Sequence, residues 1–153
     1  MACLQEVSTG ASELVSNDYV WHISKNGGNH IRGLALLIRK GVDISIVQID
    51  DTFENIQKIK VVVPIRGKMV TIHIIHIHAP NHGYAKFLGD LGHCIIKVKN
   101  TKNLICIGDT NAQIGTDDLD EEDKLYFGKF MGHSSSNTNG EQLKIFVRRQ
   151  VWL

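Results

Sequence analysis

The chain has 153 residues, the length of one domain. Its 42% hydrophobic and 22% charged residues are the ordinary balance of a globular protein. Lys plus Arg number 17 against 16 Asp plus Glu, a net charge of +1, which excludes the strongly basic field of a chain that grips nucleic acid over its whole surface. The three cysteines, Cys3, Cys94 and Cys106, are widely spaced with no C-x-x-C pair, which argues against a disulfide framework.

The first ten residues, MACLQEVSTG, lack the basic and apolar regions of a secretory signal. No stretch approaches the roughly 18 apolar residues of a membrane span. An intracellular chain, nuclear or cytoplasmic, with no membrane partner is the expectation. After NGGNHIRG, LALLIRK (34–40), Gly41 and VDISIVQI (42–49) read as a hairpin of two strands around a glycine. A polar stretch (50–57) leads to KIKVVVPI (58–65), a turn at Arg66-Gly67, and the long strand KMVTIHIIHIHA (68–79). Residues 34–79 are thus expected to form an antiparallel meander of four strands.

The period then changes. Phe87, Leu91, Ile95 and Val98 share one helical face, predicting a helix over 84–99 with Asn81 as its cap. Gly89 and Gly92 inside it each cost up to about 1 kcal/mol relative to Ala. NLICIG (103–108) is a short apolar run of the kind found in a strand covered on both faces, with Cys106 as a small buried hydrophobe. Strand, helix and strand make a crossover unit, expected to be right-handed. TDDLDEEDK (116–124) lacks the alternating ligands and central glycine of a calcium loop and reads as solvated. GHSSSNTNG (132–140) reads as a polar linker, and 141–153 as a helix with Leu143, Phe146 and Val147 on one face.

Chemistry gathers in a few places. In LICIGDTNAQIG, Asp109 and Asn111 stand two apart at the end of an apolar strand, so an extended segment points both the same way. Gly108 frees the backbone to turn before them. The plainer alternative is an Asx-turn that only terminates the strand. HIIHIHAPNH brings His73, His76, His78 and His82 close together, with His76 and His78 on one strand face where a transition metal can be chelated. The H-x-H-x-D-H signature of metallo-β-lactamase-type hydrolases is not met, because Ala-Pro-Asn precedes His82. Strand histidines without a metal are the commoner case. Glu6, in CLQE, reads by itself as a surface carboxylate.

Taken in order, LQE, RGLALLIRK, IHIHAPN, IGDTNAQIG and TNGEQLKIF resemble the endonuclease/exonuclease/phosphatase superfamily. Within it, the chain is most similar to the endonuclease domains of non-LTR (LINE-type) retrotransposons and to craniofacial development protein 2-like proteins. The resemblance runs from Leu4 to about Val147, and IGDTNAQIG carries its most specific element. It implies an α/β (α+β) fold, a two-sheet β-sandwich flanked by helices of the deoxyribonuclease I-like kind. It further implies a hydrolase of DNA phosphodiesters that depends on Mg²⁺, with Mn²⁺ as the alternative ion. By the same resemblance Glu6 binds the metal, Asp109 activates the attacking water, Asn111 stabilises the charged phosphate, and His78 takes the place of the family's tyrosine.

Four departures accompany it. His78 stands for that tyrosine, Thr110 for the phenylalanine of G-D-F-N, and no S-D-H element occurs. The family's first strand, which carries an asparagine before L-Q-E, has no counterpart either. The resemblance therefore implies an incomplete domain over 1–153, its first strand and C-terminal part missing, with nuclease activity impaired or lost. The alternatives are a non-catalytic remnant or interaction module that keeps the scaffold, and below it a hydrolase using a metal on His76 and His78. Oligomeric state is not legible.

Overall fold

A computed structural model of the chain describes residues 1–7, 13–24, 33–98, 101–128 and 132–150. Eight strands run in order: β1 (Ala2–Val7), β2 (Glu13–Val15), β3 (Tyr19–Ile23), β4 (Gly33–Arg39), β5 (Ser45–Phe53), β6 (Ile56–Ile65), β7 (Lys68–His78) and β8 (Leu104–Asp109). Helix α1 (Tyr84–Ile96) lies between β7 and β8, and α2 (Thr138–Gln150) follows. One antiparallel sheet has the order β1-β4-β3-β2, and the other the order β5-β6-β7-β8. The described residues therefore form a mixed α+β fold with two sheets and two helices.

The two sheets pack face to face. Leu36 and Ile38 of β4 meet Ile59 and Val61 of β6 and Ile74 of β7 in one buried cluster. On the opposite face of the second sheet, Ile56, Ile75 and Ile77 form another cluster with Tyr84, Phe87, Leu88 and Leu91 of α1. This is the alternation of β7 made visible: Ile74 faces the first sheet, while Ile75 and Ile77 face the helices. Between β6 and β7, Arg66 and Gly67 both have positive φ (50° and 75°), the geometry of a type I′ hairpin turn. The β6–β7 pairing is then unbroken from Ile56↔Ile77 to Ile65↔Lys68.

Several expectations need correction. Residues 34–49 do not form a hairpin. β4 pairs with β1 on one side and with β3 on the other, so it has no free edge for β5. The segment after Arg39 instead carries the chain from one sheet to the other, and the meander is confined to β5, β6 and β7. The crossover does form, since β8 pairs parallel to β7 from His73↔Leu104 to His78↔Asp109. But β8 is the last strand of its sheet and is not covered on both faces. Ile105 and Ile107 are 49% and 46% exposed, and Cys106 is exposed as well.

Helix α1 starts one turn after Asn81, with Gly83 (φ 72°) at its cap and no side-chain cap bond, so Asn81 does not cap it. It ends at Ile96, and Lys99 of the expected helix lies outside the described residues. Helix α2 takes in the last three residues of the expected linker because Asn137 caps it: its Oδ1 accepts the Gly140 N–H at 2.7 Å. Leu143 and Phe146 pack on the α1 cluster, as their spacing implied. Residues 151–153 lie outside the described residues. Among the described residues, no helix is long and apolar enough to cross a membrane.

The acidic segment is more ordered than a solvated loop. Asp123 is fully buried, and its N–H donates to Asp120 Oδ1 at 2.8 Å. Arg148 of α2 reaches both carboxylates, at 2.8 Å from Asp123 and 2.6 Å from Asp120.

Candidate active site

The carboxyl ends of β7 and β8 and the end of β1 meet at one margin of the sandwich. His78 and Asp109 are registered partners on parallel strands, which places their side chains on the same side. The pairing continues one step further, because the Ala79 N–H donates to the Asp109 carbonyl at 2.8 Å. Gly108 has φ 140°, and a Cβ there would sit 1.9 Å from the Ile77 carbonyl oxygen. Any other residue would push β8 away from β7 just before Asp109. The glycine is thus required by close strand approach as well as by the turn.

After Asp109 the backbone turns on its side chain. Asp109 Oδ1 accepts the Asn111 N–H at 2.8 Å, the Asx-turn that was the plainer reading of this motif. The turn does not exclude a site, because it fixes Asn111 in a left-handed conformation (φ 45°) with its Nδ2 donating to the Ala79 carbonyl. The loop beyond is held by α2. Asn139 Nδ2 donates to the Asn111 carbonyl at 2.9 Å, and Asn137 Oδ1 accepts the Gln113 N–H at 3.0 Å. The TNGEQ block thus buttresses the GDTNAQ block, two segments far apart in sequence.

Glu6 arrives from the other sheet. The β1–β4 register runs Leu4↔Ala35 and resumes at Val7↔Gly33, so Gln5 and Glu6 stand opposite the single residue Leu34. This is a bulge, and Glu6 carries its strain with φ 59°. Plain alternation would aim Glu6 away from the sheet interface, since Cys3 packs inside it. The bulge instead brings Glu6 Oε1 to 3.9 Å from His78 Nε2, with the carboxylate side chain 51% exposed.

Glu6, His78, Asp109 and Asn111 are therefore gathered at one margin. The remaining histidines are not part of it. His73 is paired with Lys60 across the sheet, and burial, with the Lys60 charge second, lowers its pKa. His82 is exposed. His76 lies on the His78 face as expected but is fully buried, and burial plus the His78 charge depress its pKa to about 4. Its Nε2 sits 2.8 Å from Gln5 Nε2, so the imidazole accepts from the amide and the pair with His78 does not form a chelate.

A Mg²⁺ ion keeps several waters and takes one or two protein carboxylates. An exposed Glu6 with Asp109 nearby fits that donor chemistry. His76, fully buried with its Nε2 engaged by Gln5, suits a histidine-bound transition metal less well.

Two neighbours were not legible in the sequence. Tyr84, at the start of α1, is 4% exposed, and its hydroxyl has no hydrogen-bond partner among the described residues. Burial, then the Asp109 charge, pushes its pKa up to about 12, so it remains a neutral O–H near the carboxylate. Gln5, beside the more conspicuous Glu6, carries no chemical signal of its own in the sequence. No protein-family model matches the chain, and no curated protein matches it.

Proposed function

We propose that this protein is a phosphodiester hydrolase of the endonuclease/exonuclease/phosphatase kind, acting on DNA with Mg²⁺. The observation that carries the reading is the convergence of Glu6, His78, Asp109 and Asn111 from three strands and a turn onto one margin of a two-sheet fold. Their order in the chain matches the motif blocks that first pointed to this superfamily.

Each side chain has a role that its surroundings support. Glu6, exposed beside His78, would hold the divalent ion, with Asp109 as the neighbouring carboxylate. When bound, the ion would polarise the phosphoryl group and stabilise the departing oxygen. Asp109 has one oxygen engaged by the turn, and the other is the acceptor for a proton from an attacking water. Asn111 spends one amide hydrogen on the Ala79 carbonyl, which fixes the amide plane and leaves the second for a phosphate oxygen. His78 supplies an imidazole donor where the family has a phenol. The loop is rigid before substrate arrives, because α2 clasps it through Asn137 and Asn139.

The test is nicking of supercoiled plasmid by the 153-residue chain with Mg²⁺ and with EDTA. Asp109→Asn keeps an oxygen to accept the Asn111 N–H, so the turn survives and the proton acceptor is lost. Nicking that needs Mg²⁺ and falls at least about 100-fold in Asp109→Asn supports the reading. No nicking by a chain whose near-UV dichroism shows it folded would reduce the site to a scaffold.

A further inference from the structure

The sheet interface at this margin contains a polar pair in apolar surroundings. Gln5 and His76 bridge the two sheets at 2.8 Å, beside the cluster of Leu36, Ile38, Ile59, Val61 and Ile74. Directly across β6–β7 from His76 stands Gln57, which is also fully buried. His76 Nδ1 and both amide atoms of Gln57 have no hydrogen-bond partner among the described residues. Burying such groups is costly, and apolar side chains of the same size would pack this interface more cheaply. Stability alone therefore does not account for the pair.

Its location does. Gln5 is the first residue of the β1 bulge, and Glu6 is the second. A glutamate at φ 59° is strained and reverts to extended backbone unless its neighbours hold it. Alternation from Cys3 already faces Gln5 inward, and its bond to His76 holds β1 at a fixed position over β7, so that the extra residue of the bulge falls at Glu6. Glu6 is then forced back toward His78. Without that anchor β1 can pair in simple register with β4, and alternation turns Glu6 away from the site.

We propose that Gln5 and His76 are positioning residues that lock the β1 bulge and thereby aim the Glu6 carboxylate at the metal position. Glu6's part in this rests on the functional reading above, while the bulge lock stands on the fold alone. His76 acts as a neutral acceptor and touches neither substrate nor metal.

The experiment uses the full chain and the paired replacement Gln5→Met with His76→Leu, which substitutes apolar groups of similar size on both sides. Two properties are read: Mn²⁺ affinity by electron paramagnetic resonance, and the Glu6 backbone conformation from its HN–Hα coupling and sequential NOEs. The expected result is a chain as thermally stable as the parent, with Glu6 extended and Mn²⁺ bound about tenfold or more weakly. His76→Gln alone, with Gln5 kept and offered an acceptor oxygen, keeps both as in the parent. A stable double variant that keeps Glu6 at positive φ overturns the proposal. So does one that binds Mn²⁺ as the parent does while Glu6 is extended. If the parent itself binds no Mn²⁺, the metal reading of Glu6 fails, and the backbone measurement still decides whether the pair locks the bulge. Should the double variant unfold, Gln5→Met alone is measured in the same two ways.

Discussion

At the scale of single residues, His76 ties stability to pH. Unfolded, its imidazole titrates near 6.5; folded, burial and the His78 charge hold it at about 4. The folded chain therefore binds fewer protons than the unfolded chain between these values. Its stability is intact above pH 6.5 and falls as the pH drops toward 4. The difference amounts to about 3 kcal/mol at the acid end and about 2 kcal/mol by pH 5. Asp50 does not confuse this window. Burial would raise its pKa, but hydrogen bonds from Lys58 and Thr52 hold it at about 2, so its stabilisation is lost only below the ordinary carboxylate range. Urea unfolding at pH 7 and pH 5 should show this loss in the parent chain and little of it in His76→Leu. An equal loss in both would mean that other groups carry the acid sensitivity.

At the scale of elements, the strands were legible where the chain alternates and the partners were not. β6, β7 and their turn follow from KIKVVVPI, Arg66-Gly67 and KMVTIHIIHIHA, because a two-residue turn fixes both pairing and register. The same reasoning misplaced β4, since Gly41 suggests a turn but says nothing about edges already taken by β1 and β3. Asp109 and Asn111 could be singled out because their motif is local. The Glu6 bulge could not, because it depends on a contact between Gln5 and a residue 71 positions away. β8 shows the limit most clearly: an all-apolar run reads as buried, yet it forms an open edge with Ile105 and Ile107 about half exposed. Unpaired apolar edges invite association with another strand. Ile107→Lys should therefore lower concentration-dependent light scattering while shifting the melting temperature by no more than about 2 °C, the small effect expected of an exposed position. A large loss of stability would show instead that Ile107 is part of the core.

At the scale of the whole molecule, α2 ties together the loop after Asp109 and the acidic segment, which residues 133–136 also hold through hydrogen bonds to Gln113, Gly115, Thr116, Asp117 and Asp118. Its first turn grips the loop after Asp109 through Asn137 and Asn139. Its middle sends Lys144, 5% exposed, to the Asp118 carbonyl at 3.0 Å, and its last turn sends Arg148 to Asp120 and Asp123. The acidic segment is thus folded onto the helix by cations, which composition alone could not reveal. The Asp123 contact dominates, because that residue is fully buried and Asp120 lies in solvent, where an ion pair contributes little. Removing Arg148 would leave a carboxylate buried with no countercharge, and the chain must then either protonate it or open the segment to water. Arg148→Met should lower the melting temperature by about 10 °C at neutral pH. Adding Asp123→Asn should recover most of that loss, because the buried group no longer carries charge. The two substitutions together should then cost less than Arg148→Met alone, and thermal melts of the single and double variants measure this directly. Simple additivity would instead assign the cost to lost arginine packing. Plasmid nicking by the double variant near the parent rate would further separate the acidic clasp from the Asp109 site, which α2 reaches from its other end.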